Sequence, residues 1–194
     1  QQVIDQNSRL AESYRAEGIA YYSEKAYPEA IAAFSRSLNN MDDPDKEFKK
    51  DVQFYLAQAR MDYGEVDKAI EVYSEILKAG EDEQAFFLRG KAYISMEDYK
   101  NAEKDFQRAL EGCEDYNLYI NIYQIYVDHN KAVDGDAYLK MALELEPQDG
   151  EDCYHRGRIY EYEKNYEAAR DELKTAMEQG YEDAMLLLGR VYLE

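Results

Sequence analysis

His129, His155, Cys113 and Cys153 are the only histidines and cysteines of the chain. Hydrolytic or metal chemistry needs several ligands, or acid and base groups, that converge. In the stretch CYH, Cys153 stands two residues before His155, a helical spacing that turns the two side chains apart and does not build a zinc site. MDDPDKE from Met41 and DHNKAVDGD from Asp128 are rich in carboxylates, yet neither has the ligand spacing and turn glycine of a calcium loop. Both read as polar connections with Asp or Asn caps. No glycine-rich loop leads into Lys and Ser or Thr, so nucleotide binding has no support. The sequence predicts a protein that is not an enzyme, with no metal and no cofactor.

Charge narrows the partners further. Lys and Arg total 23 against 42 Asp and Glu, a net charge of -19. A field of that sign repels phosphate backbones and anionic lipid surfaces, which argues against nucleic acid and favours a neutral or basic protein or peptide. Hydrophobic residues at 45% and aromatics at 13% supply enough apolar material for a folded core despite 34% charged residues. AMLLLG, from Ala184 to Gly189, is the longest apolar run and falls well short of the roughly 20 residues of a membrane span, so no membrane insertion by this segment is expected. Two cysteines make no disulfide framework for a chain of this length, and free thiols are expected. The first residue is Gln rather than Met, which leaves room for an upstream export signal or lipid anchor and leaves the compartment open.

Any binding residues must be positioned by elements that repeat. GIAYYSEKAYPEAIAAFSRSL from Gly18 carries Tyr21, Tyr27, Ala30, Phe34, Ser37 and Leu38. GKAYISMEDYKNAEKDFQRAL from Gly90 carries Tyr93, Tyr99, Ala102, Phe106, Ala109 and Leu110 at the same offsets, and GRIYEYEKNYEAARDELKTAM from Gly157 carries Tyr160, Tyr166, Ala169, Leu173, Ala176 and Met177. A copy from Ala57 keeps Ala69, Tyr73 and Leu77 but has Arg60 and Val66 in place of Tyr. A weaker one from Tyr123 has Tyr126, Ala132, Gly135, Leu139, Ala142, Leu143 and then Pro147, and a half-copy from Gly189 reaches Tyr192. The anchors Ala57, Gly90, Tyr123, Gly157 and Gly189 are 33, 33, 34 and 32 residues apart, and Gly18 to Ala57 is 39, the excess falling in NNMDDPDKE.

Apolar residues recur at three- and four-residue steps in both halves of each unit, so each half predicts a helix burying one stripe. SMEDY is too short to cross a sheet and suits a tight connection between antiparallel helices. Gly90, Ala102 and Ala109 let backbones approach while Tyr93, Tyr99 and Phe106 fill the space between them. Pro28 is placed where a second helix begins, and Pro147 follows the end of another.

A period near 34 with two helical halves resembles the tetratricopeptide repeat, from about Ser8 to Glu194. The family's tryptophan is absent; Tyr14, Gln53, Phe86, Tyr119, Cys153 and Met185 hold its places. The resemblance implies an all-α, right-handed α-α superhelix (solenoid) of about five helical hairpins plus a C-terminal helix. The expected organisation is a single array over 1–194, with units near 8–44, 48–82, 83–115, 116–149 and 150–181 and a partial unit at 182–194.

In such arrays the first helix of each unit lines the inner surface. The family's arrangement then implies a peptide-binding groove of Arg15, Tyr22, Phe54, Tyr55, Gln58, Phe87, Lys91, Asn121, Gln124, Tyr154, His155, Arg158 and Tyr162, flanked by Ile19, Met61, Leu88, Ile94, Ile120, Val127, Leu187 and Arg190. An apolar groove edged by amides and cations suits an extended or helical peptide. The competing reading is that several of these residues pack between units or cover a helix from elsewhere in the polypeptide. Some family members grip a chaperone's C-terminal carboxylate with Lys, Asn and Lys or Arg from three successive first helices. No window here has that set, so this function is not expected. Most of the 20 tyrosines are read as rim packing with wet hydroxyls, and Tyr22, Tyr55, Tyr154 and Tyr162 as anchors. The function expected is a non-enzymatic protein-interaction scaffold. The alternatives are an architectural or assembly module of a larger, exported or lipid-anchored polypeptide, capable of self-association through Met185, Leu188 and Tyr192, and a secretion-type chaperone.

Overall fold

A computed structural model describes residues 2–41 and 46–194. The carboxylate-rich connection MDDPDKE falls mainly at 42–45, outside the described residues. Eleven helices and no strand occur among the described residues: α1 (Gln2–Ser23), α2 (Tyr27–Asn39), α3 (Lys46–Tyr63), α4 (Val66–Ala79), α5 (Glu83–Ser95), α6 (Tyr99–Ala109), α7 (Tyr116–Asp128), α8 (Ala132–Leu143), α9 (Gly150–Tyr162), α10 (Tyr166–Glu178) and α11 (Ala184–Val191). The chain divides into two compact units, Gln1–Glu111 with α1 to α6 and Gly112–Glu194 with α7 to α11. Within each unit every helix packs against the next, so consecutive pairs form hairpins.

The turn inside every hairpin is built the same way. One residue adopts the left-handed conformation: Lys25 at φ 60°, Gly64 at 91°, Glu97 at 59°, Asn130 at 59° and Lys164 at 59°. Its N–H donates to the carbonyl three residues back, and the next N–H donates to the carbonyl five back, as in Glu97 to Ile94 (2.9 Å) and Asp98 to Tyr93 (2.9 Å). This double closure satisfies two carbonyls left over at the end of the first helix. Four of the five turn residues are not glycine, which is why composition alone did not reveal the position. At α8 the turn residue Asn130 is followed directly by Lys131 at the helix start, and no side chain caps that end. The expected Asp or Asn cap within DHNKAVDGD is therefore absent, because Lys131, whose side chain has no acceptor, occupies the capping position. Asp98 and Asn165 do cap α6 and α10, accepting from the N–H of Asn101 and Ala168.

The small residues lie at helix crossings. A Cβ added to Gly90 would sit 2.7 Å from the Phe106 ring, one on Gly157 2.7 Å from Leu173, and one on Gly18 2.5 Å from Phe34. Each glycine is thus the slot for a large side chain sixteen residues on. In the fourth hairpin the sizes are exchanged: Tyr123 occupies the slot position, and Gly135 replaces the alanine of the other second helices so that the Tyr123 ring fits 3.0 Å from where a Cβ would stand. Phe34, Tyr73, Phe106, Leu139 and Leu173, one from each hairpin, are fully buried. Pro28 lies in the first turn of α2, where a missing N–H costs nothing.

Candidate protein-interaction surface

In the first unit the first helices are α1, α3 and α5. Arg15 on α1 donates from Nε to the Asp51 carboxylate on α3. Its guanidinium also stands over the Tyr55 ring at 5.4 Å and the Phe48 ring at 5.9 Å. Tyr55 in turn stacks on Phe34 with centroids 5.5 Å apart. The bond to Asp51 raises the Arg15 pKa, with burial opposing, so the guanidinium stays charged. One turn and more further along, Asp62 accepts from the Tyr22 hydroxyl and from Gln58 Nε2 at 3.1 Å. Burial, then the bond to Asp62, pushes the Tyr22 phenol above its ordinary range. Phe54 and Phe87 instead turn into their hairpins, with centroids 6.3 Å from Tyr73 and 6.1 Å from Phe106. Lys91 is exposed.

In the second unit the first helices are α7, α9 and α11. His155 is only 5% exposed and is held on both ring nitrogens. Arg158 Nη1 lies 3.2 Å from Nδ1 and the Asn117 amide 2.9 Å from Nε2. A guanidinium can only donate, so Nδ1 accepts from Arg158; Asn117 Nδ2 stands at Nε2, and Asn117 Oδ1 accepts from the same Arg158 Nη1 at 3.5 Å. Burial first, then the Arg158 charge, lowers the His155 pKa, while Glu151, 3.7 Å away, opposes. The half-buried Arg158 covers the Tyr154 ring at 5.9 Å, and Tyr154 packs on Tyr181 at 5.1 Å. Tyr162 meets Tyr123 at 5.2 Å, and Gln124 donates to Asp128 at 3.0 Å. Asn121 is exposed.

Of the residues the sequence nominates, Arg15 and Tyr55 come together, Tyr22 and Gln58 meet through Asp62, and Tyr154, His155 and Arg158 form a third cluster. Phe54, Phe87 and His155 are drawn into packing, while Lys91 and Asn121 stand free at the surface. Ile94, Ile120 and Leu187 are buried as well. Two ion pairs that sequence reasoning missed join helices, one in each unit. Arg89 forks onto Asp105 at 2.7 and 2.8 Å and donates to Ser74 Oγ of the preceding hairpin at 2.9 Å. Arg156 donates to Glu172 at 2.8 Å and to the Leu145 carbonyl, also at 2.8 Å. The signal was present: Arg-Gly at 89–90 and 156–157, then Asp-Phe at 105–106 and Glu-Leu at 172–173. Among the described residues no group of His, Cys, Asp or Glu is arranged to hold a metal, and no helix is long and apolar enough to cross a membrane.

Antiparallel helix pairs whose slot position recurs every 32 to 34 residues from Ala57 onward, held by glycine or alanine except at Tyr123, define a helical-hairpin repeat protein. A sequence profile of the tetratricopeptide repeat matches residues 83–115 and 153–179, the two segments that carry the Arg-carboxylate pairs. Solved structures share the fold. The thermophilic tetratricopeptide repeat protein TTC0263 of Thermus thermophilus is 19% identical, covering 95% of this chain and 100% of its own, with a TM-score of 0.52. MamA (41-end) of Desulfovibrio magneticus RS-1 is 18% identical over 87% of this chain and 94% of its own, with a TM-score of 0.55. A chain of the APC/C hetero-tetramer Cut9-Hcn1 is 18% identical over 99% of this chain and 38% of its own, with a TM-score of 0.57. No curated relative matches the sequence. The chain carries tetratricopeptide-repeat sequence over residues 83–115 and 153–179 and shares the all-α helical-repeat fold of these structures. Proteins built from this repeat are in general non-enzymatic scaffolds for other proteins.

Proposed function

We propose that the first-helix rows hold a peptide or protein segment, and that residues 1–194 work as one array of such rows. The observation that carries the reading is the preorganised row in the first unit. Arg15 is fixed over Tyr55 by Asp51, and Asp62 is fixed by Tyr22 and Gln58, so a bound chain meets aromatic faces and hydrogen-bonding groups that lose little freedom on binding. The second unit offers Arg158 on Tyr154 beside the exposed Asn121. Asp51 and Asp62 in the row, together with a net charge of -19, favour a neutral or basic segment.

The test is a pull-down comparing the unaltered chain with Gln58→Ala/Lys91→Glu and with Asn121→Asp/Arg158→Glu. These residues are half-buried or exposed, so the fold should survive, as circular dichroism would check. Partners lost from a variant that keeps its helicity support the reading; partners captured equally by all three proteins refute it. A second reading, the assembly module, is favoured by α11 and the residues after it, where Met185 and Leu186 on the helix and Tyr192 and Leu193 beyond it are all exposed. Retention of partners by both row variants but not by Leu186→Lys/Leu193→Lys would select it.

A further inference from the structure

We propose that the outward face of α8 is a self-association surface, on which two copies of this chain pair antiparallel about a two-fold axis at Ala137. The second helices share a register, in which three positions one turn apart recur. In α2 these are Pro28, Ala32 and Arg36, in α4 Asp67, Glu71 and Glu75, in α6 Lys100, Lys104 and Arg108, and in α10 Glu167, Asp171 and Thr175; the first two of each are exposed, while Glu75 accepts from Gln53 and Arg108 folds back over Phe86 of their own hairpins. In α8 they are Val133, Ala137 and Met141. Val133 is 82% exposed and Met141 38%, with Ala137 exposed between them. The helix packs Tyr138, Leu139 and Ala142 inward, so its apolar residues run round both sides. On a helix with a wet outer face, charged residues are the ordinary choice, as α4, α6 and α10 illustrate.

The flanks say what covers the stripe. At about 100° and 1.5 Å per residue, Asp136 and Lys140 lie on the same flank of the stripe. Among the described residues neither side chain makes a hydrogen bond or an ion pair, although the Asp136 charge also acts on Tyr123 of its own hairpin. Turning a second copy about an axis through Ala137 and across the helix keeps that flank on its own side and reverses the order along it. Lys140 of each copy then faces Asp136 of the other, within one turn. The apolar stripes meet around two alanines, which let the helices approach closely. The pattern is self-complementary, as an isologous contact requires. Two three-turn helices bury less than the roughly 1,200 Å² of a stable dimer, so the pairing belongs to high local concentration.

Residue 137 lies on the axis, so a cysteine there meets its own copy. In a Cys113→Ser/Cys153→Ala background, Ala137→Cys should form a covalent dimer under mild oxidation roughly tenfold or more faster than Lys104→Cys, the matching position on α6. Asp136→Lys should remove that advantage by setting like charges opposite each other, and Asp136→Lys/Lys140→Asp should restore it. All these positions except Cys153, which is buried, are exposed or half-buried, and circular dichroism reports whether the background and each variant keep their helices. Cross-linking of Ala137→Cys no faster than Lys104→Cys overturns the proposal and leaves the stripe to a different protein. An advantage that survives Asp136→Lys overturns the antiparallel register.

Discussion

Gly157→Ala should cost stability although alanine is the better helix former. The exchange improves helix propensity by about 1 kcal/mol in a helix interior. Against that, the new Cβ would lie 2.7 Å from both Cγ and Cδ2 of Leu173, which is fully buried and cannot swing aside. Overpacking of this kind costs about 1–3 kcal/mol, so the net change runs from near zero to a loss of about 2. Gly189→Ala, in α11 of the same unit, supplies the comparison: nothing stands within 4 Å of its added Cβ, so only the propensity gain remains. The two variants should differ by about 1–3 kcal/mol in urea unfolding followed by circular dichroism, and their common propensity gain cancels in the difference. Leu173→Ala alone should cost about 2–5 kcal/mol through the cavity it leaves. Combined with Gly157→Ala it should cost less than the sum, because the added methyl enters vacated space. If Gly157→Ala stabilises the chain as much as Gly189→Ala does, or the double variant is additive, the slot argument is wrong.

Further outcomes follow from the turns, the buried pair and the buried histidine. Glu97→Gly should stabilise the chain by about 0.5–1 kcal/mol, since a left-handed residue with a Cβ costs about 1–2 and glycine's extra freedom in the unfolded chain returns part of it; Gly64→Ala should lose about 1 in the same urea assay. Arg156→Met should cost about 2–4 kcal/mol, because it strands the Glu172 carboxylate while the Leu145 carbonyl keeps its bond from the Tyr116 hydroxyl, and Arg156→Met/Glu172→Leu should recover part of that. The folded His155 resists protonation, so the unfolded chain binds more protons as pH falls below about 6.5, and stability drops there. Unfolding midpoints at pH 7.5 and 5.5 should therefore diverge less in His155→Gln than in the unaltered chain. A midpoint difference unchanged by that substitution would assign the acid sensitivity elsewhere.

The fold was legible because the slots are read by size. Gly18, Gly90 and Gly157 recur with Phe34, Phe106 and Leu173 at one offset, and each pair meets where the two helices of its hairpin cross. The turn conformation was only partly legible, since Gly64 and Asn130 are residue types that favour positive φ, whereas Lys25, Glu97 and Lys164 are not. The candidate surface was legible only as a list of positions. A first helix shows its inner row by periodicity, but whether Phe54 faces outward or joins Tyr73 depends on the neighbouring hairpin, which periodicity does not report. His155 was nominated for its position and proved to be buried by Asn117 and Arg158, contacts across helices that no local pattern contains. Arg89 and Arg156 could have been found, because each precedes its slot glycine and each carboxylate precedes the side chain that fills it.

The five identical main-chain closures give the chain a set of interchangeable joints. Since no side chain takes part in the closing bonds, a dye or a spin label carried on cysteine at 25, 64, 97, 130 or 164 would sit at the same local frame in each hairpin. Distances between such labels would measure how far one module moves against the next when the proposed partner segment is added, with the anchoring chemistry held constant along the polypeptide.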